Sequence, residues 1–402
     1  MPSNYRNFRI NVPWLLLFLE AFFIILFFLF FSGEIPDESE IYPAFQDVNQ
    51  MVIFGFGFFL AFLKRYEFSS TGFNLLIIVL GVQCSMLIDL FFRLPYKNVL
   101  DRVAEATVSV TAVVISAGTV LGKTNPVQLI LMTVVEMIVF HMSRWINSTF
   151  LQVPDKISVM HAPLFGAYFG LAISSRFSEP SPRSEKNAST PKSDLLSMLG
   201  TLFLWVFWPS FNSILVVNHN ERAICNTYFA LAASTVTAFA LSALTTKDGR
   251  FRMTHIRSAV LAGGVAVAYT AQSIEYPWIA MILGQLASVI TVLGSYCLQR
   301  CLNPAFKIHD ASGVHFTFGL PSVLGAFVQE VLFIVNNGTN SPRLGYAVVV
   351  HIAAFCLTIS VALIAGFITG SILSLKLFKT IPVSKYFDDQ FYWEFPHLAV
   401  GF

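Results

Sequence analysis

The sequence contains few charged residues for its length. Only 12% of the 402 residues are Asp, Glu, Lys or Arg, whereas about 25% is usual in soluble domains. Hydrophobic residues make up 55% of the chain, Phe alone occurs 41 times, and the mean hydropathy is +0.67. This composition leaves too little polar surface to cover a water-soluble protein of this size and indicates a polytopic membrane protein.

Sequence signatures of catalysis and of nucleic-acid binding are also missing. The chain has no HExxH motif, P-loop, nucleophile elbow, metal-ligand cluster or basic block, and its net charge is only +2. These absences predict a protein that is not an enzyme and needs no metal or cofactor. The 5 cysteines form no CxxC pair. Most are expected to be small packing residues, whereas acylation of Cys297 and Cys301 at the membrane surface stays an open possibility.

Apolar segments of about 20 residues, the length that a bilayer requires, recur along the whole chain. They lie at residues 13–32, 48–63, 73–92, 104–121, 126–144, 158–175, 195–216, 224–244, 256–272, 277–298, 312–335 and 345–375. No small-residue cleavage site follows the first segment, so it is expected to remain as a spanning helix. The pattern predicts an all-α membrane protein with about twelve transmembrane helices.

Lys and Arg are distributed unevenly between the connecting loops. With the N-terminus in the cytoplasm, most of them fall on the cytoplasmic side, and an even number of spans returns the C-terminus to that side. The Pro- and Ser-rich stretch 176–194 is predicted to be a flexible linker between two halves, by analogy with the internal repeats of transporters. We therefore divide the chain into a transmembrane domain, 1–376, and a cytoplasmic tail, 377–402.

Three sequons for N-glycosylation occur in the chain. Asn187 lies on the predicted inner side and is expected to stay unmodified. Asn147 and Asn337 lie on the outer side but close to the ends of spans, so their use is left open.

Ionisable side chains in apolar segments are functional candidates, because a charge in a bilayer is costly. These residues are Glu20, Asp89, Glu136, His141, His255, Glu330 and His351. Asp89 and His141 lie near the ends of spans, where hydration would satisfy them. Glu136 lies mid-span and is expected to pair with a neighbouring helix.

Segment 158–174 permits two interpretations. Gly166 and Gly170 share one helical face, where a neighbouring backbone can approach closely, and Pro163 removes an amide from the first turn. The segment is therefore either a kinked packing helix or a helix that lines a path through the membrane.

Several stretches resemble the Rh branch of the ammonium transporter superfamily. They are residues 74–83, 120–123, 165–171, 199–213 and 255–268. The tail, 386–402, is similar to the end of the erythroid blood-group polypeptides rather than to that of the ammonia-conducting Rh glycoproteins. The resemblance implies a trimeric bundle with an inverted repeat in the plasma membrane and one central pore in each subunit.

In the conducting members of this family, two facing histidines at the pore centre accept hydrogen bonds from ammonia, and two Phe rings gate the pore. In this sequence, Pro163 and Phe318 occupy the positions that match the two histidines. The positions that match the gate are Ala117 and Phe211, and Asp155 matches an acidic residue of the outer vestibule. The resemblance therefore implies that the imidazoles required for ammonium transport are absent.

Two nearby histidines are the candidates for replacing the missing pair. His161 is two residues from Pro163, about 200° around a helix, and is expected to face away from the pore. His315 is three residues from Phe318 and could share its face, one turn nearer the inner mouth. His315 alone could supply one donor there but not a facing pair.

Two functions remain open at this point. The first is a structural subunit, whose partners by resemblance are an Rh-associated glycoprotein and ankyrin, the latter bound through tail residues. These residues are Tyr386, Phe387, Asp388, Asp389, Trp393 and Phe395. Alternatively, the aromatic tail packs against its own subunit. The second function is a channel for ammonia, ammonium or a neutral gas such as CO₂.

Overall fold

The structure is a computed structural model. It describes residues 3–30, 41–91, 99–180, 185–216, 220–246, 248–306, 309–337 and 344–394. The side chains of Cys297 and Cys301, and the whole of Phe395, lie outside the described part of the chain.

Helices form all the regular secondary structure within the described residues. They are α1 (Ser3–Phe30), α2 (Tyr42–Gln50), α3 (Phe56–Phe59), α4 (Glu67–Phe91), α5 (Val99–Ser109), α6 (Thr111–Thr119), α7 (Pro126–Thr149), α8 (Asp155–Val159), α9 (Ala162–Ser174), α10 (Pro191–Ser213), α11 (Asn220–Thr245), α12 (Met253–Val267), α13 (Pro277–Phe306), α14 (Leu320–Asn337) and α15 (Leu344–Leu373). Two π-helical turns, Met51–Gly55 and His315–Gly319, precede α3 and α14.

The predicted number of spans agrees with these helices. Nine helices in the described ranges are long and apolar enough to cross a membrane. Three further predicted spans correspond to interrupted or shorter helices, namely α2 with α3, α5 with α6, and α12. The all-α membrane architecture is thus confirmed, and its interrupted spans contain the turns that shape the interior.

Local sequence signals explain where several helices begin. Asn125 and Gln128 form a reciprocal capping box at the start of α7, and Thr190 and Ser193 form another at the start of α10. Each box satisfies backbone amides that have no partner within the helix, and a proline follows each cap where a missing N–H costs nothing.

The two glycines of segment 158–174 bring α6 and α9 into backbone contact. A Cβ atom on Gly166 would lie 2.2 Å from the carbonyl oxygen of Ala112, and one on Gly170 would lie 2.6 Å from the Cα of Ser116. Any larger residue would force the helices apart, which is the close packing that the sequence predicted.

The acidic residues in the spans are paired through neighbouring helices. Glu136 is completely buried and accepts a hydrogen bond from Ser116 on α6, as predicted. The expectation that Asp89 and His141 are hydrated is wrong: both are buried, and His141 Nδ1 lies 3.1 Å from Asp89 Oδ1. Their positions near span ends gave no sign of this burial.

The start of α1 and the C-terminal tail lie at the same end of the bundle, which we call the tail side. Glu20 and Phe30 of α1 contact Gln83 and Phe91 of α4, so these two helices run parallel. The tail contacts the beginning of α4. This geometry agrees with an even number of spans.

The stretch 176–194 contacts the bundle at several points. The amide of Lys64 donates to the carbonyl of Ala188, and Lys186 Nζ lies 2.9 Å from Asp388 Oδ2 of the tail. On the opposite side of the bundle, Asn147 is buried and its amide group donates to Thr358. The Asn147 side chain therefore has no room for a glycan in this fold.

Candidate functional site: a closed pore centre

Five aromatic side chains fill the middle of the bundle. The Phe318 ring centroid lies 5.9 Å from that of Phe56, 6.2 Å from that of Phe59 and 6.3 Å from that of Trp208. Trp208 also contacts Phe211 at 5.5 Å. Each of these residues is about 1% exposed. We call these residues the ring cluster, and together they exclude water from the place where they meet.

The backbone around Phe318 explains how its ring reaches this position. Phe318 lies in the second π-turn, and a π-turn inserts an extra residue that redirects the side chains of a helix. Asp310 holds the start of this turn, because its carboxylate accepts hydrogen bonds from the amides of Gly313, Val314 and His315 at 2.9–3.0 Å.

Pro163 lies in the first turn of α9 and is buried. Its helix packs against the π-turn that carries Phe318, since a Cβ atom on Gly319 would lie 3.5 Å from that of Ala167. A proline at this place has no amide hydrogen and no side-chain polar atom. The two positions that the resemblance assigns to pore histidines therefore carry side chains that cannot hydrogen-bond.

Two cavities lie at opposite ends of α12, on either side of the ring cluster. The tail-side cavity, of about 450 Å³, is lined by the first turns of α12 and by the loop before the second π-turn. The opposite cavity, of about 280 Å³, is lined by Asn212, Tyr269 and the residues that follow α12. Trp208 packs on Gly264, which lies between the two ends of α12. The arrangement is that of two vestibules separated by a dry aromatic barrier.

The two predicted gate residues are not neighbours. Phe211 lies in the ring cluster next to Asn212, which lines the opposite cavity. Ala117 lies near the tail-side end of α6, where it faces Tyr66 and Gly122. The pairing of Ala117 with Phe211 is therefore incorrect, because α6 carries its C-terminal end to the other side of the bundle.

Asp155, the predicted vestibule acid, forms an ion pair. Its Oδ2 accepts a hydrogen bond from Arg144 Nη2 at 2.8 Å, and its Oδ1 lies 3.3 Å from Arg144 Nε. The same guanidinium contacts Glu105 and lies 3.3 Å from His141 Nδ1. Asp155 thus belongs to a buried charge network, in which a cation of the protein already neutralises it.

The two candidate replacement histidines do not form a facing pair. His161 is directed toward α15, where its Nδ1 lies 3.2 Å from Thr358 Oγ1 and its ring centroid 4.6 Å from that of Phe355. His315 contacts the ring of Tyr168 on α9 at 5.9 Å. These separate surroundings provide no shared proton between imidazoles.

The predicted tail residues are packed against the subunit itself. Tyr386, Phe387, Asp388 and Asp389 are all buried. The amide of Phe387 donates to the carbonyl of Gly122 at 3.0 Å. The described part of the tail is therefore docked, which is the alternative arrangement that the sequence left open.

The end of the described tail covers the beginning of α4. Asp389 accepts hydrogen bonds from the amides of Phe68 and Ser69 at 2.8 and 3.0 Å, so it caps the helix from a distant part of the chain. Trp393 Nε1 donates to Ser69 Oγ at 2.9 Å, and its ring centroid lies 5.9 Å from that of Phe73. Burial of Asp389 raises the pKa of its carboxyl above the ordinary value.

Sequence reasoning missed several charged residues of the interior, and Arg257 is the one that lines a cavity described above. Arg257, on α12, is 4% exposed and lines the tail-side cavity. The available signal was an arginine within an otherwise apolar stretch, the same signal that drew attention to Glu136. Phe56, Phe59 and Trp208 were also missed, because nothing in a Phe-rich sequence distinguishes the rings that meet in the interior.

These features define a class of protein: a polytopic helical bundle with two vestibules on a common axis, as in membrane channels and transporters. The profile of the Ammonium Transporter Family matches residues 14–389. The chain therefore belongs to the ammonium transporter family.

Full-length relatives and solved structures refine this placement. The chain is 40% identical over 417 residues to an RH-like protein of Macaca mulatta, and 39% identical over 419 residues to the blood group Rh(CE) polypeptide of Homo sapiens, in each case over 100% of both chains. The structure of Nitrosomonas europaea Rh50, described as one of a family of channels, matches 89% of this chain and 93% of its own with 28% identity and a TM-score of 0.77. A sensor Amt protein shares the fold, with 18% identity, 86% of this chain and 94% of its own covered, and a TM-score of 0.68.

Proposed function

We propose that this chain is a structural subunit of an Rh-type membrane complex and does not conduct ammonium. The observation that carries the proposal is the ring cluster. An ammonium ion that enters a dry aromatic region loses its hydration, at a cost of roughly tens of kcal/mol in an apolar medium. Pro163 and Phe318 offer no acceptor for the proton of the ion or for the hydrogen bonds of ammonia.

The charges of the two cavities support the same proposal. Asp155 is paired with Arg144, so it offers little attraction to a cation on the opposite side. Arg257 places a buried positive charge at the tail-side cavity, and a positive charge repels an incoming ammonium ion.

The transport test uses cells that express this chain alone, with methylammonium as the tracer and a conducting relative as the positive control. Uptake is expected to equal that of untransfected cells when surface expression of the two proteins is matched. Robust, saturable uptake by this chain would contradict the proposal.

A channel for a neutral gas is the second candidate, favoured by the two cavities that approach the ring cluster from both sides. Stopped-flow measurement of CO₂ and NH₃ entry into proteoliposomes distinguishes the two. If the chain is a structural subunit, the proteoliposomes should have the same gas permeability as protein-free vesicles. A protein-dependent increase in permeability would favour the channel.

As a structural subunit, the chain is proposed to assemble in an Rh-type trimer in the plasma membrane with an Rh-associated glycoprotein, with both termini in the cytoplasm. We further propose that ankyrin recognises the docked tail as a folded surface, because Tyr386 to Asp389 are buried and Gln390 and Glu394 are exposed. Truncation at residue 386 would remove the Asp389 cap of α4 and is a poor test.

Exposed substitutions test the tail directly. Gln390→Arg combined with Glu394→Arg should reduce co-precipitation of ankyrin while the partner glycoprotein is still retained. Val383→Arg, an exposed change outside the aromatic tail, is the matched control. Unchanged ankyrin capture by the double variant would count against the docked tail as the binding surface.

A further inference from the structure

The tail-side cavity is rich in hydrogen-bond donors from several elements. Arg252 and Thr254 come from the start of α12, and Arg257 lies about one turn further along the same helix. His309 comes from the loop before the second π-turn, and Asn187 comes from the stretch 176–194. The start of α12 adds the positive end of a helix dipole.

The guanidinium of Arg257 is stacked on aromatic rings, and this stacking leaves the N–H donors along its edge available for hydrogen bonds. Its Cζ lies 4.1 Å from the ring centroid of Phe62 and 5.2 Å from that of Phe59. Nη1 donates to Ser197 Oγ and Nη2 donates to the carbonyl of Ser312, both at 3.3 Å, while Nε has no hydrogen-bond partner. Two rather long bonds therefore satisfy only part of a group with five N–H donors.

The charge of Arg257 has no close counter-ion in the protein. Among the described residues, no carboxylate oxygen lies within 4.0 Å of its nitrogens. Asp194 and Asp310 act on its charge from beyond contact distance, and Asp310 is already engaged by three backbone amides. A guanidinium does not lose its proton, and a buried charge without a counter-charge is strongly unfavourable.

His309 contributes a second unused donor. Its Nε2 lies 3.2 Å from Asn187 Nδ2, and because an amide nitrogen donates, Nε2 accepts. The hydrogen of the neutral ring is then on Nδ1, which is buried and has no partner. Burial, with the Lys123 cation nearby, lowers the pKa of His309 to about 4, so the ring is neutral at physiological pH.

We propose that the tail-side cavity is a binding site for a phosphate group, held by Arg257 with Arg252 at the rim and His309 at the wall. A phosphate supplies the missing counter-charge and enough acceptor oxygens for donors that converge from different elements. The two arginines disfavour a cationic ligand. The proposal rests on Arg257 and on the lining of this cavity, and it stands whether or not the chain conducts ammonium.

The experiment measures the melting temperature of the full chain, purified in detergent, during titration with inorganic phosphate. Phosphate is expected to raise the melting temperature with saturation, because a ligand that binds only the folded state stabilises it. Chloride at matched ionic strength is the control for a general salt effect. Equal shifts with phosphate and chloride, together with no stabilisation by a phosphoinositide in the second arm below, would overturn the proposal.

Variants locate the effect in this cavity. Arg257→Gln is expected to weaken the apparent phosphate affinity at least about tenfold, since a charged bidentate donor is lost. Arg250→Gln, the same charge change at an exposed residue that does not line the cavity, should bind like the original chain. If Arg257→Gln does not fold, Arg252→Gln and His309→Asn test the same donors. A phosphate response unaltered in the cavity variants would overturn the proposal.

A phosphate group could come from a free phosphate or from a lipid headgroup, and a second arm separates these sources. The chain is placed in nanodiscs of phosphatidylcholine alone or with a phosphoinositide. Stabilisation by the phosphoinositide alone, lost in Arg257→Gln, assigns the site to a lipid, and a response to inorganic phosphate assigns it to a small ligand. The absence of both responses contradicts a phosphate site.

Discussion

Two buried arginines of the bundle differ in whether a carboxylate contacts them. Arg144, on α7, contacts the carboxylates of Glu105 and Asp155 and lies against His141. Arg257, on α12, is stacked on aromatic rings and reaches only a hydroxyl and a backbone carbonyl. The two side chains are almost equally buried, at 2% and 4% exposure.

The difference between them teaches how to separate a structural charge from a candidate ligand-binding charge. The Arg144 charge is compensated inside the protein, so its removal leaves carboxylates unpaired. No carboxylate contacts Arg257, and Asp194 and Asp310 act on its charge only from a distance, so its removal takes away a desolvation cost. Substitution of the two arginines should therefore change stability in opposite directions.

The largest effect is expected from Arg144→Gln. This variant leaves Glu105 and Asp155 without their shared cation, and breaking a buried pair in this way costs about 3–5 kcal/mol. The apparent melting temperature of the detergent-purified chain should fall sharply. Arg250→Gln, on the surface, should change the free energy of unfolding by no more than about 0.5 kcal/mol.

Arg144→Lys sharpens this result. Lysine keeps the charge but cannot span two carboxylates with a planar fork, so it should recover only part of the stability. A melting temperature for Arg144→Gln equal to that of the unaltered chain would mean that the network is hydrated and that the contrast with Arg257 is wrong.

Arg257→Gln is expected to have a smaller effect of opposite sign. In the absence of phosphate, loss of a buried charge that no carboxylate contacts should stabilise the folded chain by about 1–2 kcal/mol, because the glutamine can keep a bond to Ser197 or Ser312 without desolvating an ion. Thermal unfolding in phosphate-free buffer measures this change. A loss of stability as large as that of Arg144→Gln would show that Arg257 is a structural charge too.

The hydropathy pattern predicted the helices but not their interruptions. The predicted segment 48–63 corresponds to two α-helices joined by a π-turn, and segment 104–121 is broken near Val110. A π-turn follows from contacts between neighbouring helices rather than from a residue type, so the periodicity of one segment does not reveal it. The glycine spacing in 158–174 correctly predicted close helix packing, because the absence of a side chain can be read directly from the sequence.

The candidate site could be predicted only in part. The substitutions at Pro163 and Phe318 followed from the family resemblance, but the other rings that surround Phe318 lie on α3 and α10, far apart in the sequence. The short stretch 120–123 that placed Ala117 gave no information on which residues of other helices lie beside it, and the structure places it near Tyr66 and Gly122. The tail composition left open whether the tail packs against its own subunit, and the contacts of Phe387, Asp389 and Trp393 with the bundle answer that question.

The smallest predicted effect concerns His309, which shares the cavity of Arg257. Its pKa is about 4 in the folded chain because of burial and the Lys123 cation, and 6.5 is the ordinary value. As the pH falls, the unfolded chain therefore binds a proton at His309 before the folded chain does. The contribution of the neutral His309 ring to the free energy of unfolding is fully present above pH 6.5 and is lost as the pH falls toward 4. Between pH 6.5 and 5.5 the loss should be about 1 kcal/mol.

His309→Asn isolates this contribution from that of the other titrating groups. The substitution leaves the His309 backbone carbonyl, which accepts from Lys123 and Ser174, in place. When the pH falls from 6.5 to 5.5, the unaltered chain should lose about 1 kcal/mol of unfolding free energy relative to the variant. A constant difference would mean that His309 keeps its ordinary pKa, and so that the cavity beside Arg257 is open to water and able to screen the arginine. The stability changes expected for the Arg144 and Arg257 variants would then differ less than the similar burial of the two side chains implies.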